Sequence, residues 1–343
     1  MGGHLMRKGK QSWVFSNKPV IVSTGVSGGP FEANGKLAAD FDILHDDLWM
    51  GQDSYEKAQR VLMEEAANTA LEKGNKKKED VQFFIAGDLI NQITPSSLAA
   101  RTIQMPYLGI FGACSTSMEG LALASFLVNY EGADYILTGA SSHNAATEKQ
   151  FRYPTEYGGQ KPPTAQWTIT GAGAALLKKN ENEKGYPVTT SATIGKVVDL
   201  GLKDPFNMGG AMAPAAADTI TSHFQDMNLE PSYYDLIITG DLAKVGREVT
   251  YELLLKNGLN IEKEKFQDCG LMLFKEEQPV QAGGSGAGCS ATVVYGHILN
   301  EMKKGTYKRV LVVATGALLS PLTYQQKESI PCIAHAVSIE MES

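Results

Sequence analysis

Short apolar runs alternate along this chain with longer stretches in which apolar positions recur every three or four residues. The runs Val20 to Ser23, Val81 to Ala86, Leu108 to Phe111, Tyr135 to Thr138 and Gly173 to Lys178 predict strands. The stretches Ser54 to Lys73 and Ser115 to Asn129 predict amphipathic helices. Strand and helix in alternation predict an α/β protein built in layers.

The second half of the chain repeats the order of the first. A strand pattern at Thr189 to Val198 is followed by a helical pattern at Met212 to Gln225 and by "YYDLIITGDLA" at Tyr233 to Ala243, which parallels "VQFFIAGDLI" at Val81 to Ile90. Further on, "GAGCSATVVYGHILNEMKKGTYKRVLVVATGA" echoes "GACSTSMEGLALASFLVNYEGADYILTGA". Cys-Ser precedes Thr-Gly-Ala by 24 residues in the first copy (114 to 138) and by 26 in the second (289 to 315). Matched landmarks in matched order predict two homologous halves, residues 1–182 and 183–343, meeting in the polar stretch "KKNENEKGYP".

Composition narrows the function classes. With 343 residues the chain is long enough for two halves over a large core. Its 31 basic and 38 acidic residues give a net charge of -7, and the basic ones are dispersed, which excludes nucleic acid as an expected partner. Cys114, Cys269, Cys289 and Cys332 are far apart and form no C-x-x-C, so neither a zinc site nor a disulfide framework is expected, and a reducing compartment is. No apolar region follows "MGGHLMRKGKQSW", so no secretory signal is expected; Met1 to Leu5 reads as an added leader, with Met6 the natural start. The longest charge-free run, Pro279 to Asn300, is too rich in Gly and Ser for a membrane span, so any membrane association is expected to be peripheral.

One cysteine stands out. In "GIFGACSTSMEG", Cys114 lies between a strand pattern and a helical one, where the positive end of the helix dipole favours a thiolate. A buried cysteine serving as a small hydrophobe is the competing reading. A strand, then "GACS" at a helix start, then a strand ending in Thr-Gly-Ala, then "TITGAGAALLKK", resembles the thiolase superfamily, and within it the condensing enzymes that elongate acyl chains. The resemblance implies a thiolase-like fold: two duplicated β-α-β-α-β-α-β-β halves in a five-layer α-β-α-β-α sandwich, with the position of Cys114 as the acyl-accepting nucleophile. A condensing enzyme also needs an oxyanion hole, usually of histidine with histidine or asparagine. The place of the first histidine reads Gly240-Asp241-Leu242 here, and the place of the Gly-Asn loop reads "GGSGAGCSA", with Ser285 where the asparagine belongs. His297 falls in a helical pattern and His335 near the last strand, and both read as ordinary packed or surface histidines. The expected protein is therefore a degenerate thiolase fold and not an enzyme. An active acyltransferase or 3-ketoacyl condensing enzyme using Cys114 remains the alternative.

From about Gln11 to the C-terminus, stretches such as "DLWMGQDSYEKAQRVLMEEAANTAL" and "SSHNAATEKQFRYPTEYGGQKPPTAQWTITGAGA" closely resemble the stage V sporulation protein AD family of spore-forming bacteria. This resemblance implies a non-catalytic binding protein for dipicolinic acid (pyridine-2,6-dicarboxylate), free or as its calcium chelate. It implies a part in uptake into the developing spore and release in germination, peripheral at the spore inner membrane beside the membrane proteins of the dipicolinate channel, with no cofactor unless calcium enters with the ligand. A flat dicarboxylate calls for convergent donors and a narrow apolar slot. Candidate donors and lining residues are Cys114 and Ser115 at the helix opening, Ser117 beside them, and His143 just past a strand end, with Asp241, Ser285 and Cys289 from the second half. Asp88 and Asp241, in the paired Gly-Asp-Leu motifs, are calcium candidates that also fit the N-cap role of an Asp between strand and helix. The loop "GGSGAG" lacks the Gly-Lys-Ser/Thr ending of a phosphate cradle and is expected to line the pocket floor. "FRYPTEYGGQKPPTAQW" at Phe151 to Trp167 is the expected lid or partner-binding loop, with an aromatic to stack on the pyridine ring.

Overall fold

Helix α1, Tyr55–Lys73, shows how the pattern becomes structure. The Ser54 hydroxyl accepts the Lys57 amide at 3.3 Å and caps its start, while Leu62, Met63, Ala66, Ala67 and Ala70 form the stripe it buries. The structure, a computed structural model, describes residues 7–151 and 161–342.

Ten strands carry the two halves. In the first they are β1 Val20–Gly28, β2 Phe83–Gly87, β3 Tyr107–Gly109, β4 Tyr135–Ser142 and β5 Gly171–Lys178. In the second they are β6 Pro187–Thr193, β7 Leu236–Thr239, β8 Phe266–Asp268, β9 Arg309–Ala317 and β10 Cys332–Met341. The first half runs in the order β3-β2-β4-β5-β1 and the second β8-β7-β9-β10-β6, the same order within each half. In both, the first three strands of that order are parallel and the last two pairings antiparallel. The halves join edge to edge at β1 and β6, antiparallel at Val20–Val188.

Helices α1 and α2 (Thr94–Ile103) cover the outer face of the first half, where Leu62, Met63 and Ala99 pack on Phe84, Leu137 and Leu176. Helix α3, Thr116–Asn129, lies between the halves. Past β4, α4 (Asn144–Phe151) follows. Helices α5 (Met208–Met227) and α6 (Ala243–Lys256) cover the outer face of the second half, against Ile237, Leu311 and Val313. Helix α7, Ala287–Thr292, continues through a π-helical turn, Val293–Ile298, and joins α3 in the central layer. The expected α/β class is thus the observed one.

The expected elements differ in extent. The strand expected over Thr189 to Val198 ends at Thr193, because beyond it Gly195 runs so close to the Ala334 carbonyl that a Cβ would lie 1.9 Å from it. Helix α5 starts four residues before the apolar pattern does, since the Asn207 side chain accepts the Gly210 amide and sets the cap.

Candidate functional site

Cys114 is placed by a tight turn. Between β3 and α3 the chain makes a single 3-10 turn at Ala113–Ser115, and Ala113 adopts φ 51°, a left-handed conformation uncommon for a residue with a side chain. Hydrogen bonds lock it: Gly112 N–H donates to Thr116 Oγ1 (3.1 Å), Thr116 Oγ1 to the Ala113 carbonyl (2.7 Å) and Ser115 Oγ to the Gly112 carbonyl (2.6 Å). Cys114 is 7% exposed, and its accessible face lines a cleft.

Asp241, two residues past the end of β7 at Thr239, meets that cysteine from the second half. One carboxylate oxygen accepts Ser285 Oγ and the Gly286 amide, both at 3.0 Å; the other accepts Thr315 Oγ1 at 2.8 Å. The Cys114 thiol lies close enough to this carboxylate to feel its charge. Burial pushes the Asp241 carboxyl up against the pull of these donors. Burial, and then the neighbouring Asp241 charge, push the Cys114 thiol well above its ordinary value. Cys114 is therefore a protonated thiol at neutral pH, the opposite of an activated nucleophile.

Ser285 is delivered by a two-stranded parallel ribbon, Gly284–Ser285 beside Trp167–Thr168, that ties a loop of the first half to one of the second. The next residue has to be glycine: Gly286 has φ 110°, and a Cβ there would sit 2.7 Å from Ser142 Oγ. Gln166, just before the ribbon, donates from Nε2 to the Asp241 carbonyl at 2.5 Å.

The cleft is narrow and partly open to solvent. Cys114, Ser285, Gln166, Thr147 and Thr168 form its polar part, while Leu89, Phe151, Phe206, Met208 and Leu319 form the apolar slot. It continues outward past Phe206 and Leu319 to Pro321 and Tyr324. Phe206 and Leu319 sit in no motif, and Thr147 and Gln166, though inside stretches singled out in the sequence, carry no individual signal there; only the ribbon and the cleft bring the four to Cys114.

The structure brings Cys114, Asp241 and Ser285 together and places the other candidates elsewhere. His143 does not reach the cleft. Its Nε2 donates to the Leu48 carbonyl at 2.8 Å, its Nδ1 accepts the Ala146 amide at 3.4 Å as the cap of α4, and its ring stacks on Tyr55. Burial lowers its pKa to about 4, so it is a neutral packed residue and not a charged donor. The Ser115 hydroxyl is spent on Gly112, and Ser117 shares a 2.6 Å hydrogen bond with Ser290 between the two central helices. Cys289 is fully buried in the shared core and does not line the cleft.

Asp88 caps its own loop and α2. One oxygen accepts Ile90 N–H at 2.7 Å; the other accepts Ser96 N–H and Oγ at 2.9 and 2.6 Å. Burial raises its pKa to about 6. Both Asp88 and Asp241 thus have their oxygens engaged by protein donors, and among the described residues no cluster of three or more His, Cys, Asp or Glu could hold a metal ion. His297 pairs with Asp40 at 2.8 Å, and His335 accepts the Gly195 amide at 3.3 Å. Neither lines the cleft. Most of the expected lid, residues 152–160, lies outside the described residues; at its flanks Phe151 lines the cleft, and Trp167 is stacked on Phe31 at 4.5 Å.

Two mirrored half-sheets, a central helical layer and a cysteine on a tight turn facing a loop of the other half define the thiolase-like fold of the condensing enzymes. Solved structures share it: 3-oxoacyl-[acyl-carrier-protein] synthase III from Aquifex aeolicus VF5 superposes with a TM-score of 0.60 at 16% identity, over 94% of this chain and 99% of that one. Cerulenin-bound OleA of Xanthomonas campestris gives 0.61 at 14% identity, over 95% and 99%. The chain belongs to the stage V sporulation protein AD family, whose profile matches residues 9–340. It is 51% identical over 332 residues to stage V sporulation protein AD of Bacillus subtilis (strain 168), covering 97% of each.

Proposed function

We propose that the cleft at Cys114 binds dipicolinic acid, free or as its calcium chelate, and that the protein catalyses no acyl transfer. The observation that carries this reading is Asp241, standing where the condensing-enzyme pattern calls for histidine. A histidine there supplies a proton acceptor and a donor to a developing oxyanion. A buried carboxylate whose oxygens are already engaged by Ser285, Gly286 and Thr315 offers no donor to an oxyanion and repels one, and it adds to burial in holding the Cys114 thiol well above its ordinary pKa. What remains is a narrow slot with Phe151 and Phe206 available to a flat ring and a small polar group at its floor, which suits a planar heteroaromatic acid. Membership of a sporulation family supports the spore as its setting.

Titration calorimetry with dipicolinate, in calcium and in chelator, tests the binding; micromolar affinity in at least one of them is expected, and heats indistinguishable from dilution in both would remove the assignment. Incubation with acyl-coenzyme A donors and intact-mass measurement tests the rest: no adduct is expected, and a stoichiometric one absent from Cys114→Ala would restore the acyltransferase reading. Carriage of dipicolinate into and out of the spore, beside the membrane proteins of its channel, is the process this binding serves in our reading. No helix among the described residues is long and apolar enough to cross a membrane, and in our reading the attachment is peripheral. High salt or mild alkali should accordingly release the protein from spore membranes.

A further inference from the structure

A carboxylate that enters this cleft has to exchange water for protein donors. Among the described residues the polar side chains of the lining are Cys114, Thr147, Gln166, Thr168 and Ser285. Ser285 Oγ donates to Asp241 at 3.0 Å, and Gln166 Nε2 faces the carbonyls of Asp241 and Gly284. Thr147 Oγ1 is enclosed by protein, and a thiol is a weak donor. The Thr168 hydroxyl differs from all of these. It makes no hydrogen bond to protein, and it is not enclosed, in a residue that is 6% exposed and lines the cleft. The ribbon sets its direction. Side chains alternate along a strand, and Trp167 turns to the face where it stacks on Phe31 at 4.5 Å, so Thr168 turns to the other face, with Ser285 opposite it in register. The Thr168 methyl group lies toward Gly286, 3.1 Å from where a Cβ would be, which leaves the hydroxyl for the cleft. The backbone is pinned on both sides: Trp167 N–H donates to the Gly283 carbonyl at 2.9 Å, Asn144 Nδ2 to the Thr168 carbonyl at 3.0 Å and Ile169 N–H to the Ser285 carbonyl at 2.9 Å. A donor held in this way loses little freedom when a ligand binds.

We propose that Thr168 is a specificity-determining residue of this cleft, its hydroxyl donating a hydrogen bond to a carboxylate oxygen of the bound ligand. The proposal rests on the reading of the cleft as a dipicolinic acid site and says which side chain meets the acid. A hydroxyl without a protein partner takes up a carboxylate oxygen without breaking any internal bond. Its bond to a charged acceptor is worth more than a bond to a neutral one. Thr168 thereby discriminates the acid from its ester.

Thr168→Val replaces the hydroxyl by a methyl group of nearly the same size, and Thr168→Ser keeps the hydroxyl and drops the methyl. In titration calorimetry Thr168→Val should bind dipicolinate about ten- to a hundredfold more weakly than the parent, and Thr168→Ser within about threefold of it. Dimethyl pyridine-2,6-dicarboxylate, the same ring with neutral oxygens, should lose less than about tenfold in Thr168→Val. A cleft merely distorted by the substitution would weaken acid and ester alike, so equal losses overturn the proposal. A Thr168→Val protein that binds dipicolinate like the parent overturns it too. Circular dichroism and the melting temperature check the fold; should Thr168→Val fail to fold, Thr168→Ser is compared with Thr168→Ala, which differs from it by the hydroxyl alone. The serine variant should then bind dipicolinate at least about tenfold more tightly, and parity between the two overturns the proposal. Dipicolinate that binds the parent and every variant equally removes the role of Thr168 and leaves the ligand assignment standing. Dipicolinate that fails to bind the parent removes the ligand assignment, and the role of Thr168 falls with it.

Discussion

Burial, with Asp241 beside it, sets what Cys114 can do. The carboxylate is fully buried and held by three donors, and on top of burial its charge raises the pKa of the Cys114 thiol as it does those of Asp268, Cys269 and Cys289 nearby. Removing that charge should change the thiol's chemistry: Asp241→Asn is expected to alkylate at Cys114 with iodoacetamide at pH 8 at least about tenfold faster than the parent, the equivalent of one pKa unit. Equal rates would mean that burial alone suppresses the thiolate. His143 makes the complementary case, a histidine whose role is packing. Replacing it by alanine should cost about 2 kcal/mol at pH 7.5, since the cap of α4, the bond to Leu48 and the Tyr55 stack go together. The pH dependence has a definite sign. Its folded pKa, about 4, lies below the ordinary 6.5, so the neutral ring favours the fold above pH 6.5 and that contribution is lost as pH falls toward 4. At pH 5 the parent should have given up about 2 kcal/mol of its advantage over His143→Ala. Urea unfolding at the two pH values reads this directly, and an advantage that stays constant would contradict the assignment of His143 as buried and neutral.

At the scale of elements, the loop Gly283–Gly288 is the clearest case of sequence serving the site. Its glycines make room: Gly286 for Ser142 and Gly288 for the Gly171 carbonyl, 2.4 Å from where a Cβ would be. Gly286→Ala is expected to cost about 1–3 kcal/mol through its positive φ and to move Ser285 off Asp241, so that ligand affinity falls together with the melting temperature. A variant with unchanged melting and binding would show that the loop has slack. The same loop marks how far sequence reaches. The alternation of strands and helices and the strand-end positions of Cys114 and Asp241 were legible, because a strand end adjoining a helix start is fixed by local pattern, whereas Ser285 was placed only by the resemblance to the condensing-enzyme loop. Helices α2 and α6 were not singled out, since the stripe α6 buries, Ala243, Gly246, Thr250 and Leu254, holds a single large apolar side chain, and α2 opens after Gln92 and Ile93 in left-handed conformations that no local pattern signals. His143 read as a donor because a histidine after a strand end looks alike whether it faces a ligand or caps the next helix. Gln166 was invisible for a different reason: its role comes from the ribbon pairing Trp167 with Gly284, a contact more than a hundred residues apart in sequence.

On the scale of the whole molecule, the central layer makes the two halves interdependent. Helix α3 comes from the first half yet packs on β9 and β10 of the second, and α7 from the second half packs on β4 and β5 of the first. The largest core cluster therefore mixes Ile85, Met118, Leu121, Ile136 and Leu177 with Val294, Val310 and Val337. Neither half could bury its own central helix alone, and each would expose a broad apolar face if the other unfolded. Unfolding is thus expected to be one cooperative event despite the chain length and the repeated topology. Differential scanning calorimetry should show a single transition with calorimetric and van't Hoff enthalpies in agreement, shifted upward as a whole by saturating ligand, because the cleft draws residues from both halves. Two resolved transitions, or a ligand shift confined to one of two, would mean that the halves hold separate cores and that the contacts of α3 and α7 across the centre contribute little to stability.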